Sequence, residues 1–267
     1  MGVIFQASYA LPGADEPLTN ARIAHSGNWF SGTVTASTTA AGFFADGPDN
    51  SLTYEKWKPT AIPATWENDL GSAVLVNYCC IAAHTLGTNG CTIKIQYWNG
   101  SAWVDRTPAT LIADNMPIFC IFAETTAQRW RVNITAGAGN PSIGVIKFGE
   151  ALQMQQPFYG GHTPLALALQ VILRSNNSET GESLGRTQQR VMFGTSFSWQ
   201  HLKADWVRTN WPPFQRAMAA DGFFIAWRPG DFSEVGFCQV DQIPAPANMG
   251  VKDYMSVDMP VRALGYV

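Results

Sequence analysis

The sequence predicts an all-β protein of two domains with one short helical segment. Its 267 residues fit two domains at roughly 100–200 residues each. Turn signals built from Gly, Pro and Asn divide the chain into short segments of strand composition, and only residues 202–220 carry a helical pattern. Short strands at this spacing are typical of a sandwich or a jelly roll.

The first predicted domain covers residues 1–150, and its clearest element is a hairpin. Residues 91–98 alternate apolar and polar side chains with a period of two, as a half-buried strand does. Asn99-Gly100 follows, and this pair indicates a hairpin because both of its turn positions need positive φ. The returning strand begins at Ala102-Trp103-Val104. Further strands are predicted at 33–37, 73–81, 117–122, 128–134 and 142–148.

The second predicted domain is a smaller β-barrel at residues 165–267, after a linker at 151–164 that is rich in Gln, Gly and Pro. Residues 223–227 are apolar on both faces of the predicted strand. Such a strand is covered on both sides, here by the helix or by another subunit. The other predicted elements are strands at 165–174, 188–199, 234–240 and 254–263, an exposed loop at 175–185, and the helical segment at 202–220, where Pro212-Pro213 opens a new helix or breaks the old one.

The composition favours a protein with much of its surface covered. Hydrophobic residues make up 46% of the chain and charged residues only 14%, against about 25% charged in an average soluble protein. A chain this poor in charge either buries surface in an assembly or keeps a neutral polar surface. The net charge of −3 is spread over both halves without a basic field, so no nucleic-acid partner is predicted.

The apolar runs and the cysteines indicate the compartment in which we expect the chain to be made and the state of its thiols. The first residues show no secretory signal pattern, and no apolar run reaches membrane-span length, so we expect synthesis in a host cytoplasm and no membrane insertion. An odd number of cysteines without framework spacing predicts buried free thiols. They are Cys79, Cys80, Cys91, Cys120 and Cys238.

A set of short motifs lies in order along the first domain. It begins with Ala45-Asp46-Gly47, Thr53, Trp57, Trp66 and Asp69-Leu70-Gly71, and it continues at 95–103, 128–132 and 146–150. This order resembles the discoidin, or coagulation-factor type C, jelly roll over about residues 14–150. The resemblance implies a discoidin-like jelly-roll sandwich whose loops at one end bind sugars or lipids.

The resemblance also implies two kinds of site. Trp29, Trp98 and Trp103 are candidates for carbohydrate binding because turn or loop residues flank them; the alternative is that each indole covers an edge of the sandwich. A structural Ca²⁺ is implied in the loop that carries Asp46, Asp49, Asn50 and Thr53, since hard cations take oxygen ligands. The alternative is that a turn is rich in Asp for its own reasons.

The second domain carries a different resemblance. Gly185 and Val191, then the segments 223–229 and 237–238, resemble a domain of bacteriophage distal tail and tail-tip proteins. The resemblance covers about residues 165–267 and implies a homo-oligomeric ring, other phage tail or baseplate proteins as partners, and location in the virion tail. The implied assembly residues are Trp206, Trp211, Phe224 and Trp227.

No catalytic pattern stands out in the chain. Histidines and cysteines lack metal-ligand spacing, and Gly194-Thr195-Ser196-Phe197-Ser198 is not a nucleophile elbow. A pair of carboxylates could meet only in space, which leaves glycoside hydrolysis untested by sequence. We therefore predict a structural, non-enzymatic phage tail or baseplate protein whose sandwich contacts host cell-surface glycans. The alternative function is a free-standing carbohydrate-binding adhesion module.

Overall fold

The computed structural model describes residues 2–9, 18–250 and 253–264, and these residues form two β-sheets and one α-helix. In chain order the elements are β1 Val3–Phe5, β2 Arg22–Ala24, β3 Trp29–Phe30, β4 Thr33–Ala36, β5 Ala64–Ala82, β6 Thr92–Trp98, β7 Trp103–Asp105, β8 Thr110–Leu111, β9 Ile118–Ala136, β10 Val145–Gly149, β11 Leu152–Gln153, β12 Leu169–Asn177, β13 Ser183–Lys203, α1 Ala204–Ala220, β14 Phe223–Ala226, β15 Val235–Gln239, β16 Ala247–Asn248 and β17 Tyr254–Leu264. The predicted all-β class is confirmed. The predicted start of the first resemblance, at residue 14, lies outside the described residues.

Two strands of 19 residues each, β5 and β9, build the jelly-roll sandwich. Their pairing is interrupted between Asp69 and Val74, where Gly71 has φ +75°, so the paired strands change direction there. Residues 64–69 of β5 pair with 129–134 of β9 and with β4. Residues 74–81 pair with 118–127 of β9 and, near their end, with β10. One continuous sheet thus supplies both layers.

The core between the layers is aromatic. Trp66, Trp130 and Phe148 are completely buried, and the Phe148 ring centroid lies 6.5 Å from that of Trp66 and 5.9 Å from that of Trp130. Trp66 Nε1 donates to the carbonyl oxygen of Ala45 at 2.7 Å, and Trp57 Nε1 donates to that of Thr38 at 2.9 Å. Two tryptophans of the motif series therefore serve the core and fix the loops above it.

The second sheet runs in the order β11-β2-β14-β15-β17-β13-β12, and α1 packs on it. The helix buries Val207, Trp211, Phe214 and Met218 against the apolar side chains of this sheet. It continues through Pro212 and Pro213, where the sequence predicted an interruption. Burial of Trp211 and Phe214 offsets the missing backbone hydrogen bonds, since tertiary packing supplies most helical stability in proteins. None of the described helices is long and apolar enough to span a bilayer.

The boundary predicted near residue 150 is not a gap between independent parts. β2, from the first predicted domain, pairs with β14 and with β11 in the second sheet. Residues predicted as a linker belong to the second core: Met154 is completely buried, and the Phe158 ring lies 4.6 Å from that of Trp199. The apolar side chains at 152, 154 and 158 outweigh the Gln, Gly and Pro content that indicated a linker.

The sandwich also packs directly on the second sheet. Tyr78, Cys80 and Phe119 point away from the sandwich core and contact an apolar cluster that contains Phe224 and Phe237. The two-sided burial predicted for residues 223–227 is therefore present, and both covers come from this chain. The five cysteines are buried free thiols, as predicted. Burial raises the pKa of the thiols of Cys79, Cys80, Cys120 and Cys238.

This packing corrects the predicted assembly interface. Phe224 is 0% and Trp211 1% exposed, and Trp227 is 7% exposed. Trp206 is partly buried against the second core. Because these side chains are occupied inside one subunit, they offer little surface to a second copy. The sequence could not distinguish the two cases, since an apolar strand needs cover from either source.

Candidate functional site

The solvent side of the sandwich is a sheet face that carries both charged and aromatic residues. A row of directly paired residues crosses it, from Thr35 through Glu67, Arg131 and Gln96 to Asp105. Successive side chains of a strand point to opposite faces, so residues two positions away also belong to this face. We call it the outer face, and its members are Glu67, Asp69, Lys94, Gln96, Trp98, Trp103, Asp105, Arg129, Arg131 and Asn133.

The hairpin between β6 and β7 places two indoles side by side on this face. Trp98 and Trp103 are directly paired, so the loop holds the four residues 99–102 and not the two-residue turn that Asn-Gly indicated. Asn99 Oδ1 accepts from the amides of Ser101 at 2.9 Å and Ala102 at 2.8 Å, and Gly100 has φ +99°. These side-chain hydrogen bonds replace the tighter turn.

Two arginines hold the indoles. The Trp98 and Trp103 ring centroids are 5.5 Å apart in an edge-to-face arrangement. The guanidinium carbon of Arg129 lies 5.3 Å from the Trp98 centroid and 5.4 Å from the Trp103 centroid, and that of Arg131 lies 4.1 Å from the Trp103 centroid. Cation–π contacts at exposed sites contribute about 0.5–1 kcal/mol. Both indoles remain partly exposed, so their orientation is fixed while ring surface stays accessible.

Gln96 connects the polar groups of the outer face. Its Oε1 accepts from Arg131 Nε at 2.7 Å and from Asn133 Nδ2 at 3.1 Å, and its Nε2 donates to Asp105 Oδ1 at 2.6 Å. Lys94 Nζ donates to the other oxygen of Asp105 at 2.7 Å. Burial raises the pKa of Asp105, but the hydrogen bonds from Lys94 and Gln96 outweigh it and hold that pKa below its ordinary value.

A second group of contacts fixes Arg129. Arg129 forms an ion pair with Glu67, with 2.5 Å between Nη2 and Oε1. Asp69 accepts from Gln128 at 2.7 Å and from the Gly71 amide at 2.9 Å, and both hydrogen bonds lower its pKa. Three positive and three negative side chains thus share the face. Such a neutral surface with fixed donors, acceptors and ring faces suits an uncharged, hydroxyl-rich ligand.

Trp29, the third predicted sugar-binding tryptophan, lies elsewhere. It is on β3, which pairs with β10 in the other layer, and it packs at the cluster between the two sheets. The Nζ of Lys147 lies 4.8 Å from the Trp29 ring centroid. The structure therefore brings Trp98 and Trp103 together and separates Trp29 from them. For Trp29, the alternative of covering an edge of the sandwich describes its position.

The predicted calcium loop contains the 3-10 turn Gly47–Asp49, and a lysine contacts it. Lys147 Nζ donates to the backbone carbonyl of Asp49 and lies 4.0 Å from its Oδ1. Asn50 Oδ1 accepts from the Leu52 amide at 2.7 Å, so this oxygen is also engaged. Across the described parts of the chain, no group of three or more His, Cys, Asp or Glu side chains is placed to hold a metal ion. The Lys147 ammonium thus lies beside both the carbonyl oxygen and the carboxylate of Asp49.

Sequence reasoning missed the polar members of the outer face. It interpreted Arg129 and Arg131 as an ion pair or as protection of a sheet edge, and it assigned no role to Gln96, Glu67 or Asp105. The alternation of β6 already placed residues 94, 96 and 98 on one face. What the sequence lacked was the pairing register, which decides the neighbours of that face.

Comparisons with known proteins add a fold likeness. No family model and no curated protein matches the chain. Among solved structures, the chitosan-binding module 1 of a chitosanase/glucanase from Paenibacillus sp. IK-5 is 22% identical, with a TM-score of 0.39 over 45% of this chain and 96% of that one. The family 32 carbohydrate-binding module of NanJ from C. perfringens, solved with galactose, is 19% identical, with a TM-score of 0.40 over 49% of this chain and 99% of that one. These likenesses cover less than half of the chain, and we base the functional proposal on the outer face itself.

Proposed function

We propose that this chain is a non-catalytic glycan-binding protein and that the outer face is its binding surface. The observation that carries the proposal is the Trp98–Trp103 pair, with ring centroids 5.5 Å apart and held by two guanidinium groups. Aromatic rings supply large, rigid apolar surface beside polar groups. The C–H faces of a sugar ring pack on such surfaces, while its hydroxyls exchange hydrogen bonds with arginine, carboxylate and amide groups. The outer face presents all of these groups within three adjacent strands.

The polar network supports binding because it is ordered in advance. Gln96 is 7% exposed and uses both ends of its amide within the face. A ligand would therefore meet side chains that have already lost their rotamer freedom, which reduces the entropy cost of association. The outer face extends over several strands, which favours a polysaccharide chain lying across them.

The test is affinity electrophoresis of the full chain in gels that contain an uncharged polysaccharide, in turn a galactan, a glucan and a mannan. At least one polysaccharide should retard the protein, and Trp98→Ala and Trp103→Ala should each weaken retardation by tenfold or more. Phe44→Ala removes an aromatic side chain that is 62% exposed but lies off the outer face, so it is the matched control. Unchanged migration of the wild-type protein in every gel would contradict the proposal, as would equal losses in all three variants.

Self-association is a second candidate function, favoured by a separate observation. Within the described parts of the chain, residues 170–192 of β12 and β13 pair only with each other and form a two-stranded ribbon. Ile172 is 50%, Leu173 49% and Leu184 67% exposed on this ribbon, and Leu169 at its base is 56% exposed. An isolated two-stranded ribbon is marginally stable in water, and an open apolar edge is a template for pairing.

The occupant we propose for the ribbon edge is a second copy of the chain. An edge strand pairs antiparallel with its own copy about a two-fold axis, which buries the same side chains on both subunits. Full burial of one such side chain contributes about 1.5–3 kcal/mol. Burial of these half-exposed side chains on two subunits thus contributes a free energy comparable to the cost of association, which is roughly 4–15 kcal/mol. The phage tail assignment and the virion location remain predictions.

Sedimentation velocity of the full chain tests this second candidate. The wild-type protein should sediment as an oligomer at micromolar concentration, and Ile172→Asp with Leu184→Asp should sediment as a monomer. Leu111→Asp is the control, because Leu111 is 60% exposed on the sandwich, away from the ribbon. A wild-type protein that stays monomeric at high concentration would rule out association through the ribbon.

A further inference from the structure

Lys147 is a buried cation that no sequence pattern marked. Its side chain is 3% exposed, and it lies on β10, between the predicted calcium loop and the Trp29 ring. Nζ donates to the Asp49 carbonyl, lies 4.0 Å from Asp49 Oδ1 and 4.8 Å from the Trp29 ring centroid. An isolated ammonium in such a place would be very costly, so buried charges are found paired.

The carboxylates around this lysine come from two parts of the chain. Asp49 lies in the loop of the sandwich, and Asp46 acts electrostatically on it. Asp221 is the residue that caps the C-terminus of α1, and its charge also acts on Lys147. Ser51 Oγ donates to Asp221 Oδ1, which joins the same loop to the helix. The Lys147 ammonium thus experiences negative charge both from the sandwich loop and from the C-terminus of α1.

The position of Asp221 needs a nearby cation. A helix C-terminus carries partial negative charge, so an acidic side chain there is unfavourable unless a positive group compensates. No basic residue lies in the last turn of α1. Lys147 on β10 acts electrostatically on Asp221, and Ser51 Oγ donates to that carboxylate.

Asp49 shows how closely the charges depend on each other. Burial raises its pKa above the ordinary value, and Lys147 and a hydrogen bond from Ser31 offset only part of that rise. Asn68 Nδ2 donates to Asp49 Oδ1 at 3.4 Å, and Asn68 is 1% exposed. Without a cation at this place, a carboxylate, a carbonyl oxygen and a helix end would face one another in a site shielded from water.

We infer that the Lys147 ammonium is a built-in counter-ion that takes the role of a divalent metal, holding the loop at residues 46–53 and joining the sandwich to α1. The fold therefore needs no calcium. Removing the ammonium leaves a small, negatively lined cavity whose proper occupant is a small cation. This inference does not depend on glycan binding.

The first test uses the wild-type protein and needs no variant. Thermal unfolding should give the same Tm in 5 mM EDTA and in 5 mM CaCl₂ at matched ionic strength. A calcium-dependent rise in Tm, reversed by EDTA, would overturn the inference, since it would show that the loop takes a metal despite Lys147.

The second test is chemical rescue. Lys147→Ala should lower Tm by on the order of 10 °C, because removing one partner of a buried charge pair is strongly destabilising. Ethylammonium at tens of millimolar should restore several degrees in Lys147→Ala and nothing in Lys147→Met, whose side chain fills the cavity. Lys94→Ala, which removes a partly exposed lysine, is the control. Its Tm should stay close to that of the wild type and should not change with ethylammonium.

Two outcomes of the second test would contradict the inference. One is a Lys147→Ala protein as stable as the wild type. The other is equal restoration by ethylammonium and by sodium at the same ionic strength, which would indicate screening of charge rather than occupancy of the cavity. If Lys147→Ala does not fold, Lys147→Met and the calcium test on the wild type still decide the question.

Discussion

The two outward surfaces of the sandwich arise from the same alternation of side chains, but one is exposed to solvent and the other is covered by the second sheet. On one layer, the side chains that point away from the core are charged, amide or indole groups, and water covers them. On the other layer, they include Tyr78, Cys80 and Phe119, and the second sheet covers them. Alternation of apolar and polar residues therefore tells which residues share a face. The chemistry of that face tells what must cover it.

The largest expected effect comes from opening the covered surface. Phe224→Ala should lower the free energy of unfolding by about 3–5 kcal/mol, because it leaves a cavity between two sheets that are both packed against the side chain. Trp98→Ala, on the outer face, should lower it by about 1 kcal/mol or less. Urea unfolding of both variants measures the difference. Equal losses would mean that the two surfaces are buried to the same extent in solution.

The next largest expected effect is a loss of folding stability at low pH, caused by two buried histidines. Burial lowers the pKa of His25 and His84 to about 4, from an ordinary value of 6.5. Both are 4% exposed, and His84 Nε2 lies 2.9 Å from the Met116 carbonyl oxygen.

Because the folded pKa is lower than the unfolded one, the unfolded chain binds more protons. Stability is therefore full above pH 6.5 and falls as the pH drops toward 4, by roughly 3 kcal/mol for His84. Urea unfolding at pH 7 and pH 4.5 measures the fall, and His84→Gln should remove the share of His84 and leave that of His25. A pH-independent stability across this window would contradict the burial of both rings.

A smaller effect tests the network of the outer face. Gln96→Leu removes the amide that joins Arg131, Asn133 and Asp105. We expect a loss of about 1–2 kcal/mol in stability, as for polar groups deprived of partners, together with weaker glycan retardation. Gln96→Glu keeps an acceptor for Arg131 and Asn133 but replaces the Nε2 donor with a second carboxylate oxygen facing Asp105, so it should restore neither property fully. Full retardation by Gln96→Leu would show that the network does not position the indoles.

The smallest effect is expected at the rim. Lys94 and Asp105 form an ion pair whose side chains are 28% and 44% exposed. Exposed pairs contribute about 0.2–1 kcal/mol, so Lys94→Met should change the unfolding midpoint only slightly. A loss as large as that of Gln96→Leu would place Lys94 among the organising residues of the face.

Local patterns predicted most of the elements. The strands at 33–37, 91–98, 223–227 and 234–240 and the helix at 202–220 agree with β4, β6, β14, β15 and α1 within a few residues. These segments carry their own signal in alternation, in turn residues or in a helical stripe. The segments at 117–122 and 128–134 were predicted as separate strands and form the single β9. Their separation followed polar residues that a bent strand tolerates.

What the sequence did not reveal depends on contacts between distant residues. Trp98 and Trp103 were predicted as a site because a turn separates them, and the pairing register does place them together. Trp29 was grouped with them because turn or loop residues flank it too, and it lies on the other layer. Lys147 gave no signal, because a lysine in an apolar strand is meaningful only beside Asp49 and Asp221. Phe224 was correctly predicted to be covered, but the covering surface was not identifiable.

The two 19-residue strands have a mechanical consequence. Because β5 and β9 each run through both layers, a force on Arg129 or Arg131 would be carried along the covalent backbone of β9 into the layer that rests on the second sheet. A force on Trp98 would first cross the hydrogen bonds between β6 and β9. The ladder between β6 and β9 is therefore the part of the sandwich on which such a force would act first.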